Sequence, residues 1–333
     1  MILVTGGSGF IGANFIHHWL TNNEEELLNL DNLSYAANQD NLSEISSDKR
    51  YCFVQGSITE LDLVVALLNE NEPRALINFA AESHVDRSIE NPDMFVSSNI
   101  NGTHTLLKAA HSFWEGLNQE KKEKFRYIQI STDEVYGSLN LNDPKSIEAD
   151  AYLPNSPYSA SKASGDHLVR AWHETYQFPA ITTNCTNNYG PFQHEEKLIP
   201  LMIKNCLEGK ELPLYGDGKN IRDWLFVKDH CEALELVLSQ GIIGETYNIG
   251  GNNELSNIQV VEKICELLDE LKPKEDKKSY REQITFVEDR KGHDFRYGLD
   301  ISKITNALGW TPTENFDSGL RKTVEWYLNK LKS

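Results

Sequence analysis

The sequence predicts an α/β protein in which a doubly wound parallel sheet is followed by a smaller C-terminal α/β part. Three observations predict it. Short apolar runs alternate with amphipathic stretches through the first half of the chain. A glycine-rich turn joins the first apolar run directly to the first amphipathic one. After Gly190-Pro191 the alternation loosens and helices are set among shorter strands, where a substrate-holding part belongs.

Strands are expected at Ile2–Val4, Leu27–Leu30, Tyr51–Val54, Ala75–Ala80, Tyr127–Ile130 and Ala180–Asn184. Between them, Phe10–Leu20, Asp62–Asn69 and Ser98–Leu117 have the spacing of helices that cover both faces of such a sheet. The run Leu139–Pro157 contains Pro144, Pro154 and Pro157 and reads as a loop over the site. Further helices are expected near Glu195–Leu207, Asp229–Leu238, Ser256–Leu271 and Phe316–Leu331, with the charged Lys272–Arg281 as an exposed linker. No internal repeat or low-complexity tract interrupts this order.

Composition narrows the function classes. The 333 residues carry a formal charge of −18, from 32 Lys and Arg against 50 Asp and Glu. No basic cluster offers a nucleic acid or an anionic membrane the local positive charge it requires, so any anionic ligand must be held by a few placed cations. No run of 18 apolar residues exists, and the apolar opening Met1–Val4 meets glycines too early for a signal peptide, so a cytoplasmic protein is expected. The five cysteines are scattered without metal-ligand spacing, and read as buried thiols with neither disulfides nor a metal site.

Two constellations carry chemistry. In Thr5-Gly6-Gly7-Ser8-Gly9-Phe10-Ile11-Gly12, the glycines let the backbone turn tightly and approach a pyrophosphate at a helix N-terminus, the Rossmann-type arrangement. Asp31, 19 residues after Gly12, ends the second strand where a carboxylate accepts hydrogen bonds from ribose hydroxyls. Asn32-Leu33 provides no Arg for a 2′-phosphate, which favours NAD over NADP. The second constellation is acid–base. Tyr158 and Lys162 share one face of a helical pattern, so the ammonium favours the phenolate. Upstream, a strand runs into Ser131-Thr132-Asp133-Glu134-Val135-Tyr136-Gly137, placing a hydroxyl and adjacent carboxylates at a strand's carboxyl end, which faces the ligand crevice in open α/β sheets.

These motifs, in this order, resemble the extended short-chain dehydrogenase/reductase family that acts on nucleotide sugars. Within it, Ser131 to Gly137 is similar to the dTDP-glucose 4,6-dehydratases, where epimerases and decarboxylases carry small residues in place of the two acids. Supporting segments are Ala80 to Ser88, Asn187-Asn188-Tyr189-Gly190-Pro191, Lys197-Leu198-Ile199-Pro200, Tyr215-Gly216-Asp217-Gly218, Ile221-Arg222-Asp223-Trp224, Gly292-His293-Asp294 and Arg296-Tyr297. The resemblance implies an NAD-binding domain of residues 1–191 plus about 222–249 and a nucleotide-sugar-binding domain of 192–221 plus about 250–333. Cofactor contacts are then implied at Gly6, Gly9, Phe10, Ile11, Gly12, Asp31, Asn32, Ser57, Ile58, Ala80, Ala81, Asn99, Tyr158 and Lys162. For the substrate, dTDP-glucose, contacts are implied at Glu82, Ser83, Thr132, Asn187, Asn188, Lys197, Leu198, Tyr215, Arg222, Asn257, Arg290 and His293, with Arg296 a further cation near the diphosphate. It also implies a homodimer made by helix pairing. Two departures from the family pattern are Gly56-Ser57-Ile58, which lacks the common acid near adenine, and Lys291 in place of a proline.

The implied reaction is internally redox-neutral: hydride leaves C4 of the glucosyl unit, water leaves across C5 and C6, and hydride returns to C6. Tyr158 takes the C4 hydroxyl proton, Lys162 supports it, Thr132 orients the hydroxyl, Glu134 removes the C5 proton and Asp133 protonates the departing hydroxyl. An epimerase or decarboxylase has no use for the paired acids, and a silent dinucleotide sensor has none for Tyr158 and Lys162. His84 and Asp86 read as structural residues at a helix start.

Overall fold

The structure is a computed structural model that describes residues 1–330. Its central sheet has seven strands in the order β10-β6-β5-β4-β1-β2-β3. They are β1 Ile2–Thr5, β2 Leu27–Asp31, β3 Tyr51–Gln55, β4 Ala75–Asn78, β5 Arg126–Thr132, β6 Ala180–Cys185 and, after three strands that lie outside this sheet, β10 Thr246–Ile249. All six pairings are parallel. β1 and β2 are buried along their whole length, which is why they read as continuous apolar runs and do not alternate. Successive side chains of β1 nevertheless part company, because the strand period is two. Ile2 and Val4 join Phe15, Ile16, Leu234 and Val237 on one face. Leu3 joins Leu106, Ala110, Tyr127 and Val169 on the other.

The C-terminal part has its own core of Ile203, Trp224, Val260, Ile264, Phe316 and Leu320. There β9 (Ile221–Phe226) pairs with β7 (Asn187–Tyr189) and β11 (Glu254–Ser256), while β8 (Leu212–Tyr215) pairs with β12 (Ile284–Val287). Among the described residues no helix is long and apolar enough to cross a membrane.

Several expected boundaries move for local reasons. The stretch Ser98–Leu117 opens as a π-helical segment, Val96–Gly102, before settling into the α-helix Thr103–Gly116. The helix expected from Glu195 starts at Leu198, because Lys197 is its extended N-cap, and Glu195 to Lys197 remain in the loop at the pocket. The last helix is described from Phe316 to Lys330, so its expected end at Leu331 lies outside the described residues. β10 escapes the sequence pattern because two of its four residues are Thr246 and Asn248, the latter held by Tyr136 and Ser146. The loop 139–157, expected over the site, gives no residue to the lining of the pocket that holds the acids; it runs beside the C-terminal part, bridging Leu139 to Arg296 and Ser146 to Leu299.

Candidate active site

The carboxyl ends of β1, β2, β4, β5 and β6 open into one cavity of about 280 Å³. Gly6 has φ +71°, and a Cβ there would lie 2.6 Å from the backbone of Ala80 at the end of β4. A Cβ on Gly12 would lie 2.4 Å from the Gly6 carbonyl. The turn and the helix Phe10–Asn22 are therefore packed at backbone distance, and Gly9 is an N-cap with no side chain between the helix amides and the cavity. Gly7 is constrained by side chains, since its Cβ would meet Asn29 Oδ1 at 2.3 Å. Asp31 braces the same loop: Oδ2 accepts from the Ser8 amide at 2.9 Å and Oδ1 from the Leu33 amide at 2.8 Å. Burial raises its carboxyl above the usual range, and those amides pull it back. Gly6, Gly9, Phe10, Ile11, Gly12, Asp31, Asn32, Ile58, Ala80 and Ala81 all line the cavity.

At the end of β5 the chain turns through a 3-10 segment, Asp133–Tyr136, closed by Gly137 at φ +84°, where a Cβ would lie 2.3 Å from the Leu153 carbonyl. This turn lets adjacent acids share one pocket, which a continuing strand would forbid. Thr132 Oγ1 donates to Asp133 Oδ1 at 3.2 Å and accepts from the Glu134 amide at 3.3 Å. Asp133 Oδ2 is buried without a hydrogen-bond partner among the described residues. Burial, then the charge of Glu134, hold the Asp133 carboxyl well above its ordinary value. Glu134 is raised by burial too, while Arg222 and Lys197 oppose the shift.

Tyr158 and Lys162 enter from the helix Pro157–Tyr176, whose start is set by a reciprocal Ser156/Ser159 capping box. Both line the cavity with Thr132, Asp133 and Glu134. Burial, and the charge of Glu134, push the Tyr158 phenol well above its usual value, and the Thr132 hydroxyl works against this. Lys162 Nζ donates to the Ile130 carbonyl at 2.7 Å.

Of the substrate candidates, Glu82, Ser83, Asn187, Asn188 and Lys197 line the cavity. Tyr215, Arg222, Arg290 and His293 form a second group next to it. The Arg290 guanidinium lies 4.9 Å from the Tyr215 ring centre and pairs with Asp86 at 3.2 Å, while the Arg222 guanidinium lies 4.4 Å from that of Tyr297. Tyr215 and His293 meet edge to face at 6.1 Å.

Five further expected residues lie outside the cavity lining. Asn99 is buried behind the cavity, its amide consumed by the Glu82 backbone and Ser161. The Ser57 hydroxyl turns to Thr59 at 2.8 Å, leaving Gly56 and Ile58 to line the pocket. Leu198 points into no part of the cavity lining, since it opens a helix packed on the C-terminal core. Asn257, in the first turn of its own helix, is likewise outside the lining. Arg296 is spent on Glu254, at 2.6 and 3.0 Å, and on the carbonyls of Asn140 and Asp143.

The structure adds residues that sequence reasoning missed. Glu196 lines the cavity and collects Tyr35, which donates to it at 3.1 Å, with Arg87, His84 and His194 within 3.6 to 3.7 Å. Cys185 lines it opposite Thr132 in the β5–β6 register, its thiol pushed up to about 12 by burial and the charge of Asp133. His230 is buried, held neutral by burial, and bonded to Asn188 at 2.9 Å. Only Glu196 carried a sequence signal, its place next to Lys197.

Comparison with known proteins agrees with this fold. The GDP-mannose 4,6 dehydratase family model matches residues 3–323. The chain belongs to that family. A family member from Escherichia coli K12, dTDP-glucose 4,6-dehydratase 1, is 54% identical over 99% of this chain and 93% of its own length. The Haemophilus influenzae dTDP-glucose 4,6-dehydratase is 53% identical over 98% of this chain and 97% of its own. Among solved structures, the Bacillus anthracis dTDP-glucose 4,6-dehydratase in complex with NAD superposes with a TM-score of 0.87 at 44% identity, covering 99% of this chain and 97% of that one.

Two outcomes test this account of the site. Gly6→Ala combines a left-handed backbone with a backbone clash, and should lower unfolding free energy by roughly 2–5 kcal/mol in denaturant titrations. Asp133→Asn should raise Tm. The folded carboxyl has a raised pKa, so wild-type stability falls as pH rises from the ordinary carboxyl range toward that raised value. The gain from Asn should therefore grow with pH across that window in thermal melts, and a gain that shrinks would contradict the assignment.

Proposed function

We propose that this chain is a dTDP-glucose 4,6-dehydratase, converting dTDP-glucose to dTDP-4-keto-6-deoxyglucose and water with NAD regenerated in each turnover. The observation that carries the reading is the pair of adjacent acids, Asp133 buried with an unpartnered oxygen and Glu134 half-buried beside it, lining the same cavity as Tyr158. Similarity to the curated dehydratases supports it, whereas a Thermotoga maritima UDP-glucose 4-epimerase of the same fold is 26% identical.

The cavity fits NAD. Its glycine cradle is one that any Cβ would fill, and Asp31 and Asn32 stand where a ribose needs acceptors. Gly6, Gly9 and Gly12 would hold the diphosphate, and Tyr158 and Lys162 the nicotinamide end. NAD, when bound, supplies the reversible hydride acceptor that C4 oxidation and C6 reduction require.

The protein's own residues manage the protons. Tyr158 accepts the C4 hydroxyl proton, with Thr132 orienting that hydroxyl. The carbonyl then formed at C4 acidifies the C5 proton, which Glu134 removes. Asp133, kept protonated by burial and by its neighbour's charge, gives its proton to the departing C6 hydroxyl, which leaves as water. Glu134 returns a proton to C5. At the end Tyr158 holds one proton more and Asp133 one fewer; the Thr132 hydroxyl, beside one and bonded to the other, stands between them.

Arg222 and Arg290, with His293 beside them, supply the positive charge for the diphosphate that a chain of net charge −18 lacks elsewhere. We further assign an NAD-binding domain of 1–191 plus about 222–249 and a sugar-nucleotide domain made of the rest, although β9 pairs outside the seven-stranded sheet. Five free cysteines among the described residues favour the cytoplasm. Exposed Ile89, Met94 and Val96, next to the helix Thr103–Gly116, favour a second copy of the chain as partner.

Turnover in D₂O should place one deuterium at C5 of the product, and deuterium supplied at C4 should reappear at C6; solvent label at C6 in its place would refute the intramolecular route. Glu134→Gln should lower product formation by about 10²–10⁴-fold. It should spare C4 oxidation, followed by the absorbance of the bound cofactor, and unchanged product formation would remove Glu134 from its role.

A further inference from the structure

Behind the helix that carries Tyr158 and Lys162 lies a second cavity, of about 510 Å³, which the reaction above does not use. Asp166 forms part of its wall, with Tyr152, His167, Glu148 and Lys303. Asp166 follows Lys162 by one helical turn, on the same face. The two residues are buried, at 4% and 5% exposure, and grip consecutive residues of β5. Lys162 Nζ donates to the Ile130 carbonyl, and the Ser131 hydroxyl donates to Asp166 Oδ2. The other oxygen, Asp166 Oδ1, is buried without a hydrogen-bond partner among the described residues. An ammonium taken out of water needs a compensating charge, and so does a carboxylate.

We propose that Asp166 is a positioning residue: the buried counter-charge that keeps Lys162 cationic and, through Lys162, sets the pH range in which Tyr158 serves as the base. The role of Tyr158 rests on the dehydratase reading; the pairing of Asp166 with Lys162 does not.

The surroundings leave these two charges to each other. Tyr127 of β5, Tyr136 of the following turn and Tyr152 of the loop 139–157 all face Asp166, and burial pushes each phenol up and so keeps it neutral. Cys185 of β6 faces Lys162 as a protonated thiol. Burial lowers Lys162, and the charge of Asp166 is the leading influence that restores it. Asp166 itself is raised by burial to about 6, against the pull of Lys162 and Ser131. Its carboxylate is therefore lost as pH falls through that value, and the support for Lys162 goes with it. On the cavity side, Glu148, Asp150, His167, Arg170, His173, Glu245 and Lys303 share the wall; of these Lys303 is paired with Glu245 at 2.7 Å and Arg170 with Glu174 at 3.3 Å.

The test is a pH titration of the Tyr158 phenolate absorbance in the NAD-bound protein, taken as the difference from Tyr158→Phe. Asp166→Asn should move the midpoint upward by roughly one pH unit, a tenfold loss of phenolate at fixed pH below it. Asp166→Glu, which keeps the charge, should restore most of it. With dTDP-glucose the acidic limb of kcat should shift in the same direction while KM holds. A midpoint that matches wild type, with kcat scaled equally at every pH, would reduce Asp166 to a structural residue and overturn the proposal. Should Asp166→Asn fail to fold, Ser131→Ala removes one hydrogen bond from the carboxylate and leaves the Lys162 bond intact; a smaller upward shift is expected, and no shift overturns the proposal. The titration needs no sugar nucleotide, so a wild-type protein that titrates as described but does not turn over dTDP-glucose would sink the dehydratase reading alone.

Discussion

Keeping ionisable groups dry at the carboxyl end of β5 is the constraint on which the rest of this site depends. β5 is paired with β4 as far as Gln129 and with β6 through Thr132, so its last residues are anchored along one edge and buried. Five consecutive positions then take distinct duties. Ile130 receives Lys162, Ser131 holds Asp166, Thr132 bonds to Asp133, and Asp133 and Glu134 face the reacting sugar in the mechanism argued above. Burial alone would leave both acids protonated. Cations from elsewhere in the fold act more on Glu134 than on Asp133, and this inequality separates a base from an acid among neighbours in sequence.

Those cations arrive from the C-terminal part, and the contacts that bring them also join the two halves of the molecule. Arg290 is paired with Asp86, at the start of a short helix after β4, and Lys197 donates to the Ser83 carbonyl. Tyr35, from the loop after β2, reaches Glu196 with the Arg87 guanidinium stacked 3.6 Å from its ring centre. Segments far apart in sequence thus meet around the cavity through charge and aromatic contact, and Asp86 holds in place Arg290, the arginine proposed for the diphosphate.

Much of this was legible in the sequence because it is local. The strand, glycine turn and helix at the N-terminus, the acids after Thr132 and the Tyr158/Lys162 spacing each express a short-range rule of backbone or helix geometry. What was not legible depends on partners remote in the chain. Asn99 and Ser57 were expected at the cofactor, but a buried amide and a turn hydroxyl are satisfied by whatever donor or acceptor folding brings first. Arg296 was expected at the diphosphate; Glu254, 42 residues away, claims it. Asp166 and Glu196 look like ordinary surface acids in sequence, and only their burial or their neighbours set them apart. β10 was missed because polar side chains at a sheet margin erase the apolar signal a buried strand otherwise shows.

The thiol at the floor of the pocket has a consequence for chemical resilience. Sulfur attacks electrophiles and peroxides as the thiolate, and Cys185 is held protonated chiefly by the burial that also raises the Asp133 carboxyl. An exposed sulfur beside a reactive ketone and a redox cofactor would be a route to alkylation and self-inactivation. At this position it is an inert apolar filler, and the feature that tunes the acid also shields the enzyme from oxidative damage.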